Sequence, residues 1–160
     1  MKFTNKYLFP AAFCVFLSSS VLVSCKKEDA TIVKKTTVLE FIPTAENSVS
    51  GKATIEENPD HSFNIVLDLL GTPKDSTIYI DVHNGNFQDP FGKQAINLGS
   101  IKCAGGPASN TVRNLSHITL PDLTRASITY DSILTYKAFI NLSYVQKPHE
   151  VGTSIAHIDL

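Results

Sequence analysis

The sequence predicts an all-β domain, an antiparallel Greek-key β-sandwich of about seven or eight strands occupying residues 36–160. Three observations carry that expectation. From about Thr36 onward the apolar residues recur with a period of two, the period of a half-buried strand. Clusters of Gly, Pro, Asn and Asp punctuate these runs at turn-forming positions. No window sustains an amphipathic helix with start and stop signals, so there is nothing to cross between parallel strands.

The elements follow in order. Thr37 to Ile42 and Val49 to Glu56 are β-rich runs, and Asn58-Pro59-Asp60 is a turn. Phe63, Ile65, Leu67 and Leu69 alternate with Asn64, Val66, Asp68 and Leu70, which predicts a strand ending at Gly71-Thr72-Pro73. Ile78, Ile80 and Val82 alternate with Thr77, Tyr79 and Asp81 in the same way, and Asn84-Gly85-Asn86 turns the chain. Further strands are expected at Ala95 to Lys102, Ala126 to Tyr130, Thr135 to Ser143 and Thr153 to Leu160. Gly105-Gly106-Pro107 and Lys147-Pro148-His149 have turn chemistry. Gly85 to Gly92 and Ala104 to Leu115 are the expected large loops, where a rigid sheet would present a binding surface.

The N-terminus is different in kind. Lys2 and Lys6 precede an apolar run from Tyr7 to Val23, broken only by Pro10 and Ser18-Ser19-Ser20, which is the pattern of a secretory signal. The run is shorter than the roughly 20 apolar residues that a membrane span needs. Leu22-Val23-Ser24-Cys25 resembles a bacterial lipobox. That resemblance implies cleavage after residue 24, diacylglycerol on the Cys25 thiol and an acylated new amino terminus such as a palmitate. Two or three acyl chains, each contributing about 0.8 kcal/mol per buried methylene, make such an anchor stable. Residues 25–35 then read as the lipidated cysteine and a flexible tether. Lys27-Glu28-Asp29 is similar to a surface-export signal of some Gram-negative lipoproteins, or is a solvated spacer. The expected location is the bacterial cell envelope, at the outer membrane.

Charge and cysteines narrow the chemistry. The 160-residue chain has 14 Lys+Arg against 15 Asp+Glu, so no basic excess points to nucleic acid. Loss of residues 1–24 takes two lysines and leaves 12 basic against 15 acidic residues, a formal charge of −3. Cys14 leaves with the signal and Cys25 is lipidated, so Cys103 stands alone without a disulfide partner and reads as a small buried residue. Gly-x-Ser-x-Gly, phosphate-binding glycine loops, Cys-x-x-Cys and His-Glu-x-x-His are all absent.

Two segments, Ile78-Tyr79-Ile80-Asp81-Val82-His83-Asn84-Gly85 and Ala138 to Ser143 with Gly152 to Leu160, resemble the Greek-key sandwich shared by the CHRD domain and copper/zinc superoxide dismutase. In those families one strand carries His-x-His and a late strand supplies a further histidine. Alternate residues on a strand project from one face about 6.5–7 Å apart, close enough for two imidazoles to hold one ion. Here Asp81 stands at the first histidine position and Ser143 at the late one, so only His83 remains.

Three functions are therefore open. The favoured one is a non-enzymatic, lipid-anchored binding or structural module. An alternative is a zinc- or copper-binding protein using Asp81 and His83, with His157 or His117 completing the site. A second alternative is a glycan-binding or adhesin-like module using Tyr79, Phe87 and Phe91, although tryptophan is absent. The lipid anchor has a direct check. In cells fed an alkyne fatty acid, Cys25→Ala is expected to lose the label and leave the membrane fraction; retention of either would remove the anchor.

Overall fold

A computed structural model describes residues 34–44, 49–88, 92–144 and 153–160. Among them, nine strands and one short helix follow in the order β1 (Thr36–Glu40), β2 (Ile42–Pro43), β3 (Ser50–Glu57), β4 (Phe63–Asn84), β5 (Gln94–Leu115), β6 (His117–Thr119), β7 (Arg125–Ser127), α1 (Tyr130–Ile133), β8 (Ala138–Tyr144) and β9 (Thr153–Asp159). Every strand pairing is antiparallel. The all-β antiparallel class expected from the sequence is the class observed.

The architecture rests on two strands of 22 residues each, β4 and β5, paired along most of their length. The first part of β4 pairs with β3 and with the last part of β5. β4 leaves β3 after Leu70, and from Ile78 onward it takes β8 as its neighbour and pairs with the first part of β5. One hairpin thus belongs to two layers: β1, β3, β4 and β5 in one, and β5, β4, β8, β9 and β2 in the other. The layers are joined again on the far side. β1 lies against β3, while β2, one residue further along the chain, lies against β9, so the sheet nearly closes into a barrel. Phe41, buried at this crossing, donates its N–H to the Gly51 carbonyl at 2.9 Å.

The bend in the hairpin is built from backbone conformation. Register slips between Leu69 and Thr72 and again between Lys74 and Ser76. Gly71 and Asp75 on β4, with Gly105 and Gly106 on β5, adopt positive φ values of 70°, 55°, 91° and 85°. Residues with a Cβ avoid that region, which is why glycines gather here. The Thr72 hydroxyl, in a buried residue, donates to the Gly106 carbonyl at 2.7 Å and ties the two sides together.

Two sequence expectations are corrected by this bend. Gly71-Thr72-Pro73 does not end a strand, and Ala104 to Leu115 is not a loop, because both are stations along β4 and β5. Turn-forming residues bend a paired ribbon here instead of terminating it. The segment Ala126 to Tyr130 also divides differently: β7 stops at Ser127, and Thr129 caps α1 by accepting the Ser132 N–H.

The inward faces of both layers meet in one core. Ile55, Ile65 and Leu67 from the first layer and Ile78, Ile80, Ile140, Leu142 and Ile155 from the second are fully buried. Each contributes roughly 1.5–3 kcal/mol of apolar transfer. Ile118, Ile128, Tyr130 and Ile133, from the β6–β7 hairpin and α1, join the same core. Asn84, itself buried, fastens this part of the chain: its amide donates to Lys93 and Thr119 carbonyls at 3.0 and 3.1 Å, and its oxygen accepts the Tyr136 hydroxyl. Cys103 lies in the core with its thiol directed at the Ile101 carbonyl.

Gly105→Ala tests the bend. Forcing a Cβ into positive φ, 3.3 Å from Lys74 Cβ, is expected to cost about 1–3 kcal/mol, read as a lower urea midpoint. An unchanged midpoint would show that the bend does not depend on this conformation.

Candidate functional site

The outer face of the second layer gathers the polar and aromatic residues that the sequence singled out. On β4 the residues Ile78, Ile80 and Val82 are fully buried, so Tyr79, Asp81 and His83 face outward together, as strand alternation requires. Their cross-strand partners make three rows. His83 lies between Gln94 and Phe139, with Asp159 beyond; Asp81 lies between Asn97 and Asn141, with His157 beyond; Tyr79 lies between Ser100 and Ser143, with Ser154 beyond.

The β5 members of these rows are three residues apart, not two. Register slips between Ile80 and Asp81 and between Val82 and His83, so Leu98 and Ala95 are extra residues on β5. Both extra residues are buried, which lets Gln94, Asn97 and Ser100 all stay exposed. Gly99 supplies the positive φ, 89°, that a bulge of this kind needs, and Asn97 Oδ1 accepts the Gly99 N–H at 2.7 Å. Period-two reasoning could not find Gln94, Asn97 and Ser100. The one available signal was Gly99 inside an apolar strand, a mark of bulges.

A similar slip on β9 moves Ile155. Ser143 pairs with Ser154 and Leu142 with Ala156, leaving Ile155 as the extra residue and fully buried. His157 and Asp159 therefore face outward, and Ile155 points into the core.

Phe87, from the turn after β4, covers one side of this face. Its ring stacks on His157 with centroids 3.7 Å apart and planes 5° from parallel, and meets Phe139 edge-on at 5.6 Å. His83 stacks on Phe139 from the other side at 5.3 Å. Phe139 is consequently only 6 % exposed although it lies outside the main core. The four rings form a separate aromatic cluster that holds the β4–β5 turn down on β8 and β9. Its edge is a cavity of about 570 Å³ beside Asn86, Gln88 and Asp159.

The polar atoms within the cluster are constrained. His83 Nδ1 lies 2.8 Å from the Gly92 carbonyl, which can only accept, so Nδ1 carries the proton and Nε2 is the acceptor in the neutral ring. His157 Nδ1 is fully buried and has no hydrogen-bond partner among the described residues. Asp81 accepts the Gln94 side-chain amide, and Asn141 Oδ1 accepts the Ser154 hydroxyl at 2.6 Å.

These positions do not assemble a metal centre. Asp81 and His157 stand two strands apart with Asn141 between them, and the His157 ring is covered by Phe87. A shared zinc ion would need its donor atoms about 2.0–2.3 Å from one point. Among the described residues no three His, Cys, Asp or Glu side chains converge on such a point. His117 is on the β6–β7 hairpin, bonded through Nδ1 to the Ser116 hydroxyl at 2.9 Å. Phe91 and Cys25 lie outside the described residues.

The other side of the face is open. Tyr79 is 44 % exposed and stands beside a shallow depression of about 410 Å³ lined also by Asp81, Gln94, Asn97, Ser100 and Ser143. The aromatic residues proposed from sequence are thus divided, with Phe87 engaged in the cluster and Tyr79 presented to solvent.

Comparison with known proteins adds no family: no family model, no curated protein and no solved structure matches this chain. The aromatic cluster can be tested by chemical modification. Phe87→Ala is expected to make His157 reactive toward diethylpyrocarbonate at a rate approaching that of exposed His117, and equal His157 reactivity before and after the substitution would show that Phe87 does not shield it.

Proposed function

We propose that this chain is a lipid-anchored binding module of the bacterial cell envelope, acting without catalysis, and that its binding surface is the open side of the outer face of the second layer. The single observation that carries the reading is the unshielded Tyr79 ring set among outward polar side chains of β4, β5 and β8. The ring is 44 % exposed, while Ile78, Ile80 and Val82 beside it on β4 are fully buried, so it stands on the outer face with polar neighbours on both adjoining strands. The two bulges on β5 support the same surface, since bulges of this kind re-aim side chains next to sites.

The anchor fits this role. Cys25 would place two or three acyl chains in the outer membrane and leave the tether to present the domain. The last tether residues are drawn onto the domain: Lys34 pairs with Glu56 at 2.6 Å, Lys35 pairs with Asp131 at 2.9 Å, and the Lys35 carbonyl accepts the Glu57 N–H.

Nitration by tetranitromethane tests whether the face is occupied in place. Among the described residues Tyr79 is the most exposed tyrosine, whereas Tyr130 is 4 % exposed. Tyr79 is expected to be nitrated readily in the purified full-length protein and several-fold more slowly in intact envelopes, read by peptide mass spectrometry. Equal nitration in both would overturn the reading.

A further inference from the structure

Resting on that reading of the face, the geometry points to a ligand class: we infer that the depression beside Tyr79 takes a neutral sugar ring of a polysaccharide. The lining has one carboxylate, Asp81, and no lysine, arginine or histidine. Phosphate, nucleic acid and acidic glycans would meet the Asp81 carboxylate in the lining itself, with Lys102 standing one row outside it opposite Thr77, so the lining disfavours anions. A long apolar peptide is excluded as well, because Tyr79 is the only large nonpolar group on a floor otherwise made of amide, carboxylate and hydroxyl groups.

What remains is a ligand with a flat C–H face and a rim of hydroxyls. The Tyr79 ring provides the stacking surface. Around it the hydrogen-bonding groups are mixed in sense, which suits hydroxyls that both donate and accept. Asp81 accepts from the Gln94 amide through one carboxylate oxygen. Asn97 is oriented by its oxygen, held by the Gly99 N–H at 2.7 Å so that its amide nitrogen is the end turned away from the backbone. Ser100 and Ser143 flank Tyr79 as its direct cross-strand neighbours. Gly99 leaves the floor low: a Cβ built there would have no atom within 4 Å, so the space above it is open. The volume, about 410 Å³, lies within the range of about 300–1,000 Å³ usual for small-molecule sites, and the depression is an open shelf along a sheet face. An internal ring of a long chain can therefore lie across it without threading into a closed pocket.

Affinity electrophoresis and titration calorimetry with the full-length lipoprotein in detergent test this directly. The probes are laminarin, dextran, mannan and xylan as neutral chains, alginate as the acidic chain and chitosan oligosaccharide as the cationic one. At least one neutral chain is expected to bind, with alginate inert. Tyr79→Ala, at an exposed position, is expected to weaken that binding at least tenfold, and Ser143→Arg to abolish it by filling the shelf. Thr54→Arg, on the outer face of the first layer, is the control that leaves binding unchanged. Binding that survives both Tyr79→Ala and Ser143→Arg would overturn the assignment of the site. Binding of chitosan or alginate alone would overturn the ligand class. Absence of all polysaccharide binding, with Tyr79 still protected from nitration in envelopes, would overturn the sugar assignment while leaving the binding face intact; absence of both would remove the two together.

Discussion

The structure depends on one hairpin that is longer than either layer it serves. β4 and β5 run 22 residues each and share a bend, so the two layers are not independent sheets brought together by their cores. They are halves of one ribbon whose backbone hydrogen bonds continue through the corner. Backbone groups that would be orphaned at two separate edges are paired instead, and buried unpaired groups are what a sandwich can least tolerate. The remaining strands then have little freedom. β3 extends one half, β8 and β9 extend the other, and the β1–β2 segment reaches across from Thr36 to Pro43 to touch both ends.

The same ribbon makes the candidate site. A regular strand continuing from the Tyr79–Ser100 pair would set Leu98 opposite Asp81 and Ile96 opposite His83, turning two apolar residues outward. The two extra residues on β5 hide Ala95 and Leu98 in the core and bring Gln94, Asn97 and Ser100 to the surface. Phe87 then divides the surface by folding onto His157 and Phe139, so that one side is a packed aromatic cluster and the other a polar shelf. On the packed side His83 is held by the Gly92 carbonyl, while His157 Nδ1 is buried without a hydrogen-bond partner among the described residues. On the shelf Asp81, Gln94 and Asn97 are hydrogen-bonded, and the Tyr79 ring is 44 % exposed.

Much of this was legible in the residue order and some was not, for identifiable reasons. The alternation at Phe63 to Leu70 and Ile78 to Val82 reports burial on one face, and burial on one face is what forms these strands. The joint presentation of Tyr79, Asp81 and His83 follows from the same alternation. The continuity of β4 through Gly71 to Ser76 was not legible, because glycine and proline allow a turn and a bent strand alike. Ala104 to Leu115 was missed on the same ground: Gly105-Gly106-Pro107 reads as a loop until the first part of β4 is beside it to pair with. At the site, Ser143 was visible only as the residue standing where a histidine was looked for, and it proves to be the neighbour of Tyr79.

The sequence by itself determined the period-two architecture and the near-neutral charge, and it carries the signal-like N-terminus and cysteine pattern on which the expectation of an envelope anchor rests. These are local or summed properties, set by adjacent residues regardless of what lies across the fold. The tertiary structure decided which strands are continuous, which residues the bulges turn outward, and that Phe87 is packed while Tyr79 is open. Each of those depends on a partner strand tens of residues away, and a bulge exists only relative to the strand it fails to match.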